Sequence, residues 1–351
     1  MRVHFRGTRT GCAAEPFDVP DGGGFVGMRR DRTGLTVVLS AAPPPPCPVV
    51  LPDGPRTRLP LTELARCFDY DDARPTRIDI VTRTLVTWGD SRAARAYRTL
   101  LGPLAPASHR STALVVHVDP DRCPDAVAIR GGGSVGALRT ALWCVRRVIA
   151  AAAPHTRLRP LTAAELSADA AWTLHDDSVT ATITATGIDG TSPPIGGDGQ
   201  VIGAADHGSP VCLRIAGPRV ERVDVAADPR VVRQTVVRLA AVGVRGHVLT
   251  DRPGEWSPLV RAVADPLLLG MGSTVPPTAQ VLICDDAEPV ARAQPGLTVL
   301  QIHRRDRTEP TGDFLLRQDV GDASLLHLVP PCGPPTTVRT VTTAAERELT
   351  G

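Results

Sequence analysis

Lysine and asparagine are absent from this 351-residue chain, and all 39 of its basic residues are arginine. Both missing residues have AT-rich codons, so a GC-rich coding sequence is the simplest origin. The chemical consequences are sharper. A Walker A loop places a lysine on the nucleotide phosphates, and none exists here. Schiff-base and Ser–Lys chemistry are excluded for the same reason, and Asn-linked glycosylation is excluded by the missing asparagine. Aromatic residues make up only 3% of the chain. The core must therefore be built from Val, Leu, Ile and Ala, which suits sheets covered by helices. The eight cysteines, at positions 12, 47, 67, 123, 144, 212, 284 and 332, form no CxxC pair. Zinc ribbons and thioredoxin-like motifs need that spacing. In a chain with its own core, such cysteines read as small buried hydrophobes of a reducing compartment. No run of about 20 apolar residues is present. The best candidate, Ala137 to Ala153, is interrupted by Arg139, Arg146 and Arg147. Nothing reads as a signal peptide, and no GxSxG nucleophile motif occurs.

What is present is a hydrophobic fraction of 42%, enough for one large or two modest domains. Thirty-nine basic residues against 37 acidic ones give a net charge of +2. That balance lacks the basic footprint of a nucleic-acid binder. β-branched runs at Leu35–Leu39, Arg77–Thr84, Ala113–Val118 and Ser178–Thr186 predict strands. Further strands are expected at Val211–Ile215, Val223–Val225, Gly246–Thr250, Val281–Cys284 and Leu297–His303. Helices are expected over Pro60–Phe68, Ser91–Leu101, Ser134–Ala153 and Thr162–Ala168, then from Asp228 to Val242 and over Trp256–Ala264. Thr162 and Glu165, three apart, fit a capping box. Gly187 to Gly208 reads as a long loop. The alternation predicts an α/β fold, a largely parallel or mixed sheet flanked by helices, in two similar-sized halves. The boundaries are an arm over 1–24, halves over 25–175 and 176–330, and a loose polar tail over 331–351.

Few motifs carry chemistry. Gly131-Gly-Gly133 precedes a helix, where backbone N–H groups can cradle phosphate, but twelve residues separate it from the preceding strand and it reads better as a turn. Asp119, Asp121, Asp285 and Asp286 follow apolar strands. They are the residues a nucleotide- or sugar-nucleotide-binding transferase would use to hold a divalent metal, but they read better as turn chemistry. His117 and His247 sit in apolar strands and read as core; His303, beside Arg304, Arg305 and Asp306, reads as surface. Arg139, Arg146 and Arg147 on one helix, and Arg230, Arg233 and Arg238 on a second, read as solvated faces. No catalytic, cofactor or metal residue is assigned. The candidates for partner contact are Arg139, Arg146, Arg147, Arg230, Arg233 and Trp256, with an anionic lipid surface as a second class of contact.

Several segments together resemble EccE, the membrane component of the actinobacterial type VII secretion system. The most specific is Ala126-Val-Ala-Ile-Arg-Gly-Gly-Gly133, running into Gly136-Ala-Leu-Arg-Thr-Ala141 and Arg146-Arg-Val148. Leu158 to Leu166, Asp228-Pro-Arg-Val-Val-Arg-Gln-Thr235, Leu249 to Pro253, Trp256 and Pro258-Leu-Val260 follow in order. Phe17–Pro20, Leu61–Cys67 and Leu101–Leu104 fit upstream, so the resemblance spans Phe17 to Val299. It implies a cytoplasmic α/β domain with a degenerate glycosyltransferase-like fold and no activity of its own. It also implies a place at the inner membrane beside EccB, EccC and EccD, with EccC supplying the ATPase. The family carries two N-terminal transmembrane helices, and Met1-Arg-Val-His-Phe5 resembles the stretch just after them. Either the start lies upstream or this is a soluble paralogue.

Overall fold

The computed structural model describes residues 15–52, 54–70, 72–167, 177–285 and 296–351. These form two interleaved units. Of the described residues, one comprises those within 1–44, 56–84 and 110–196, the other those within 45–55, 85–109 and 197–351.

In the first unit a sheet runs in the order β1 (Phe17–Asp21), β2 (Gly24–Asp31), β3 (Gly34–Ala41), β6 (His109–Val118), β5 (Arg77–Leu85), β8 (Asp177–Thr184) and β9 (Gly187–Gly190); β7 (Leu158–Pro160) also pairs with β3. The pairs β1–β2, β2–β3, β3–β6, β5–β8 and β8–β9 are antiparallel, which differs from the largely parallel expectation. Of these, β1–β2, β2–β3 and β8–β9 are joined by short turns and pair antiparallel because a parallel return needs a crossover of a dozen residues or more. Strand alternation sends Val37, Leu39, Leu114, Val116, Ile78, Ile80 and Ile183 to one face. There they meet α1 (Leu61–Ala65) and α4 (Gly133–Ala152). Helix α4 buries Gly136, Thr140, Ala141, Cys144, Val145, Val148 and Ala152, the spacing of one stripe on a 3.6-residue helix. On the opposite face Val38, Ala113 and Val115 pack with Leu161 and Leu166, the latter from α5 (Ala163–Ser167).

The expected capping box is present. Thr162 N–H donates to Glu165 at 2.9 Å, and Glu165 N–H donates to Thr162 Oγ1 at 3.2 Å. Between β6 and α4, where a loop is expected, the chain forms a 3-10 turn at Pro120–Arg122 and α3 (Pro124–Ile129). Part of the expected arm is strand β1, because Phe17–Asp21 pairs residue for residue with Gly24–Met28 across a Gly22-Gly23 turn.

The second unit is built on six parallel strands in the order β14 (Leu269–Met271), β13 (Gly246–Thr250), β15 (Val281–Asp285), β16 (Thr298–His303), β12 (Arg222–Ala226) and β17 (Phe314–Gln318). Antiparallel strands β18 (Leu325–Val329) and β19 (Thr336–Arg339) continue it. A single Ala204–Arg339 pairing then joins β10 (Gln200–Ala204), followed by β11 (Pro210–Leu213) and β4 (Val49–Val50). Helices α6 (Pro229–Ala241), α7 (Pro253–Val263), α2 (Arg92–Leu101) and α8 (Ala344–Thr350) pack with it. The protein is thus mixed α/β, with an antiparallel and a mixed sheet flanked by helices. The expected loop over Gly187–Gly208 holds β9 and β10, and the expected loose tail holds β19 and α8. Glycine and polar residues concealed both, because a backbone ladder needs no apolar side chains: every residue of β9 is exposed. Among the described cysteines, Cys67, Cys123, Cys144, Cys212 and Cys284 are buried.

Candidate functional site

The carboxyl ends of the parallel strands in the second unit converge on one edge. Two neighbouring strands there, β12 and β16, send the chain away on opposite faces. Val225, Ile302 and Asp285 are register partners and share a face. Trp256 of α7 bonds Asp285, and Val232 and Arg233 of α6 line a cavity with Ile302, so both helices cover this side. Asp224, Gln301 and Cys284, one residue earlier in each strand, point to the other side. Thr311, from the segment after β16, reaches Asp224 there: its N–H donates at 2.6 Å and its hydroxyl at 2.8 Å. Such diverging connections leave a crevice at the strand ends, where open α/β sheets hold ligands. The crevice here is a cavity of about 260 Å3 between Ala227, Val232, Arg233, Trp256, Ile302 and His303, with Arg252, Glu255, Asp285 and Arg304 also on its wall.

His303 is fixed by a fully buried partner. Its Nε2 lies 2.7 Å from Asp224 Oδ1. Burial raises the Asp224 carboxyl, but the Thr311 and His303 hydrogen bonds and Arg222 outweigh it and hold the pKa below the usual carboxylate range. Asp285 is only 3% exposed. Its Oδ2 accepts from Trp256 Nε1 at 2.7 Å and Thr250 Oγ1 at 3.1 Å, and its Oδ1 accepts from Arg252 at 2.6 Å. Both oxygens are engaged by the protein's own donors, so this carboxylate ties α7 to β15 and has little left for a metal. Asp119, in the first unit, accepts from the Asp121 N–H at 3.1 Å and pairs with Arg122 at 3.7 Å, which is turn chemistry. Asp286 lies outside the described residues. Among the described residues no three His, Cys, Asp or Glu side chains gather into a metal-holding group.

The arginines expected on solvated faces divide three ways. On α4, Arg139 is exposed and donates to the Arg130 carbonyl at 3.1 Å, and Arg146 pairs with Asp21. Arg147 stacks over Tyr70 at 3.7 Å and Trp143 at 4.9 Å from the ring centroids. Arg130 approaches Trp143 at 5.4 Å, and both guanidinium groups pair with Asp72. The Arg130 hydrogen bond first, and Arg147 beside it, hold the Asp72 carboxyl below its usual range. On α6, Arg230 is exposed, while Arg233 is half-buried and shares the cavity wall with Trp256. Arg238 departs from the expected surface position: it is 4% exposed and ion-paired with Glu346. Trp256 is itself buried.

His117 departs from an apolar packing role. It stands in a polar ladder across four strands: Nδ1 is 3.3 Å from Thr36 Oγ1, Nε2 is 3.1 Å from Asp79, and Asp79 accepts from Thr182 at 2.9 Å. The order imitates a catalytic triad, but Thr36 is 6% exposed and the ladder serves to tie the strands. His303 and Asp224 were missed because charged neighbours in sequence made His303 look like surface. The signal that finds them is the position of His303 at the end of a central parallel strand.

Comparison with known proteins adds one finding. Residues 106–192 match the family described as "Putative type VII ESX secretion system translocon, EccE". This stretch, about a quarter of the chain, is similar to EccE. No curated protein matches the chain. The matched stretch includes α3, the Gly131–Gly133 turn, α4 with Arg139, Arg146 and Arg147, the capping box at Thr162 and strand β8. The segments from Asp228 to Val260 that also resemble EccE lie outside the matched residues. The EccE description names a component of a secretion translocon and no reaction. No helix among the described residues is long and apolar enough to cross a membrane.

Proposed function

We propose that this protein is a structural subunit of a type VII secretion complex at the cytoplasmic face of the inner membrane, acting through protein–protein contacts and supporting export powered by a partner ATPase. The observation that carries the reading is the EccE match over residues 106–192. EccB, EccC and EccD are the partners it implies. The glycosyltransferase-like frame implied by the resemblance is compatible with the six parallel strands of the second unit. The exposed side of α4 suits a contact surface. Trp143 is 37% exposed and Tyr70 44% exposed, and they sandwich Arg147. Aromatic residues and arginine are the types enriched at protein interfaces.

The test is co-purification from mild detergent with a C-terminal tag at the native locus. Recovery of a secretion ATPase and its membrane partners supports the reading, and Trp143→Ala should reduce that recovery without unfolding the protein. Purification of the chain alone, with no secretion component, overturns it.

A further inference from the structure

The cavity at the carboxyl edge of β12, β15 and β16 is not needed for a purely structural subunit, and its wall is chemically uneven. It includes the apolar side chains of Val232, Ile302 and Trp256 together with the cations Arg233 and Arg304. The carboxylates on the wall are already engaged: Asp285 takes three donors, and Glu255 pairs with Arg252 at 3.6 Å. The cations are less committed. Arg304 is exposed, and no side-chain partner for it appears among the described residues. Arg233 spends one nitrogen on the Thr350 carbonyl at 3.2 Å, leaving the rest of its guanidinium fork.

The start of α6 adds a second, independent feature. Asp228 occupies the cap position, but its side chain makes no cap hydrogen bond and instead accepts from Arg305 at 3.0 Å. Proline at the first helical position removes one donor, leaving the N–H groups of Arg230 and Val231 without a helical or capping acceptor. A helix start in that state favours an anion. Pro229, Val232 and Arg233, from the same turn, border the cavity.

We propose that this cavity binds a small phosphate monoester, its phosphate held by Arg233 and Arg304 and its organic part against Val232, Ile302 and Trp256. Arginine's planar fork suits phosphate, and the volume of about 260 Å3 suits a compact ligand, near the lower end of small-molecule pockets. The site requires no metal, lysine or glycine-rich loop, consistent with a chain that has no lysine. It does not depend on the secretion role.

The experiment is calorimetric titration of the full chain with phenyl phosphate, with inorganic phosphate and phenol as separate titrants. Phenyl phosphate should bind more tightly than either fragment. Arg304→Ala and Arg233→Ala should each weaken it at least tenfold, while Arg139→Ala, in the other unit, should leave it unchanged. Arg304 is exposed, so its variant should match the parent in ligand-free melting temperature. Absence of binding at millimolar phenyl phosphate overturns the proposal, as does binding that survives Arg304→Ala in a protein of unchanged ligand-free stability.

Discussion

Arg238 and Glu346 meet at 2.6 Å, with side chains only 4% and 1% exposed. Arg238 also donates to the carbonyls of Val201 at 2.9 Å and Val341 at 2.6 Å, so one guanidinium joins β10, α6 and the chain leading into α8. Removing one partner of a buried pair strands the other charge without solvent. Glu346→Ala should therefore cost about 3–5 kcal/mol in urea unfolding. A double replacement, Arg238→Met with Glu346→Leu, should recover much of the loss because neither charge remains. A loss below about 1 kcal/mol for Glu346→Ala would place the pair among surface bridges instead.

Asp285 and Trp256 give a second test. Asp285→Ala removes the acceptor of the buried indole N–H and of Thr250 Oγ1. Each stranded buried donor costs about 1–3 kcal/mol. The variant should unfold at lower urea, and tryptophan emission should shift as α7 loosens from β15. Unchanged stability and emission would show that Asp285 is not the tie described above.

Gly136 should resist the substitution that helix propensity favours. Alanine exceeds glycine by about 1 kcal/mol inside a helix. Here a Cβ would lie 2.2 Å from the Val127 carbonyl oxygen, a backbone atom that moves only with α3. Gly136→Ala is expected to destabilise the protein by about 1–3 kcal/mol, measured by thermal unfolding. A rise in stability would mean that α3 is not held against α4 at this point.

Much of this frame is legible in the sequence where side-chain periodicity is strong. The β3, β6 and α4 patterns, the Thr162–Glu165 box and the α6–β13 succession follow from spacing alone. Strand β9 was hidden because its single apolar residue, Ile188, stands exposed between glycines and an aspartate, and β19 with α8 because proline and threonine surround them. The candidate site was harder still. Asp224 and His303 lie 79 positions apart and meet only because β12 and β16 are neighbours. Arg238 could not be told from Arg230 and Arg233 by spacing, since its buried partner arrives from the far end of the chain.

His109 sets a pH window. Burial is the main cause that lowers its imidazole pKa from 6.5 to about 4, against an opposing hydrogen bond with the Val242 backbone. The unfolded chain therefore takes up a proton at a higher pH than the folded one. The His109 contribution is complete above 6.5 and declines as pH falls toward 4, then levels off. In urea midpoints measured at several pH values, His109→Gln should show a shallower decline than the parent between those limits. Parallel curves for the two proteins would exclude the His109 contribution.

The interleaving of the two units has a consequence for synthesis. Helix α2 is complete by Leu101, yet the elements that cover it, α6 and α8, begin at Pro229 and Ala344. Its apolar side, including Tyr97 and Leu101, has no second-unit helix to meet until more than a hundred further residues have emerged. The last turn of the chain then closes that core through Glu346 and Leu349. A chain interrupted before Ala344 would carry a complete antiparallel sheet and an open second core, and chaperones that recognise exposed aliphatic surface would meet it there.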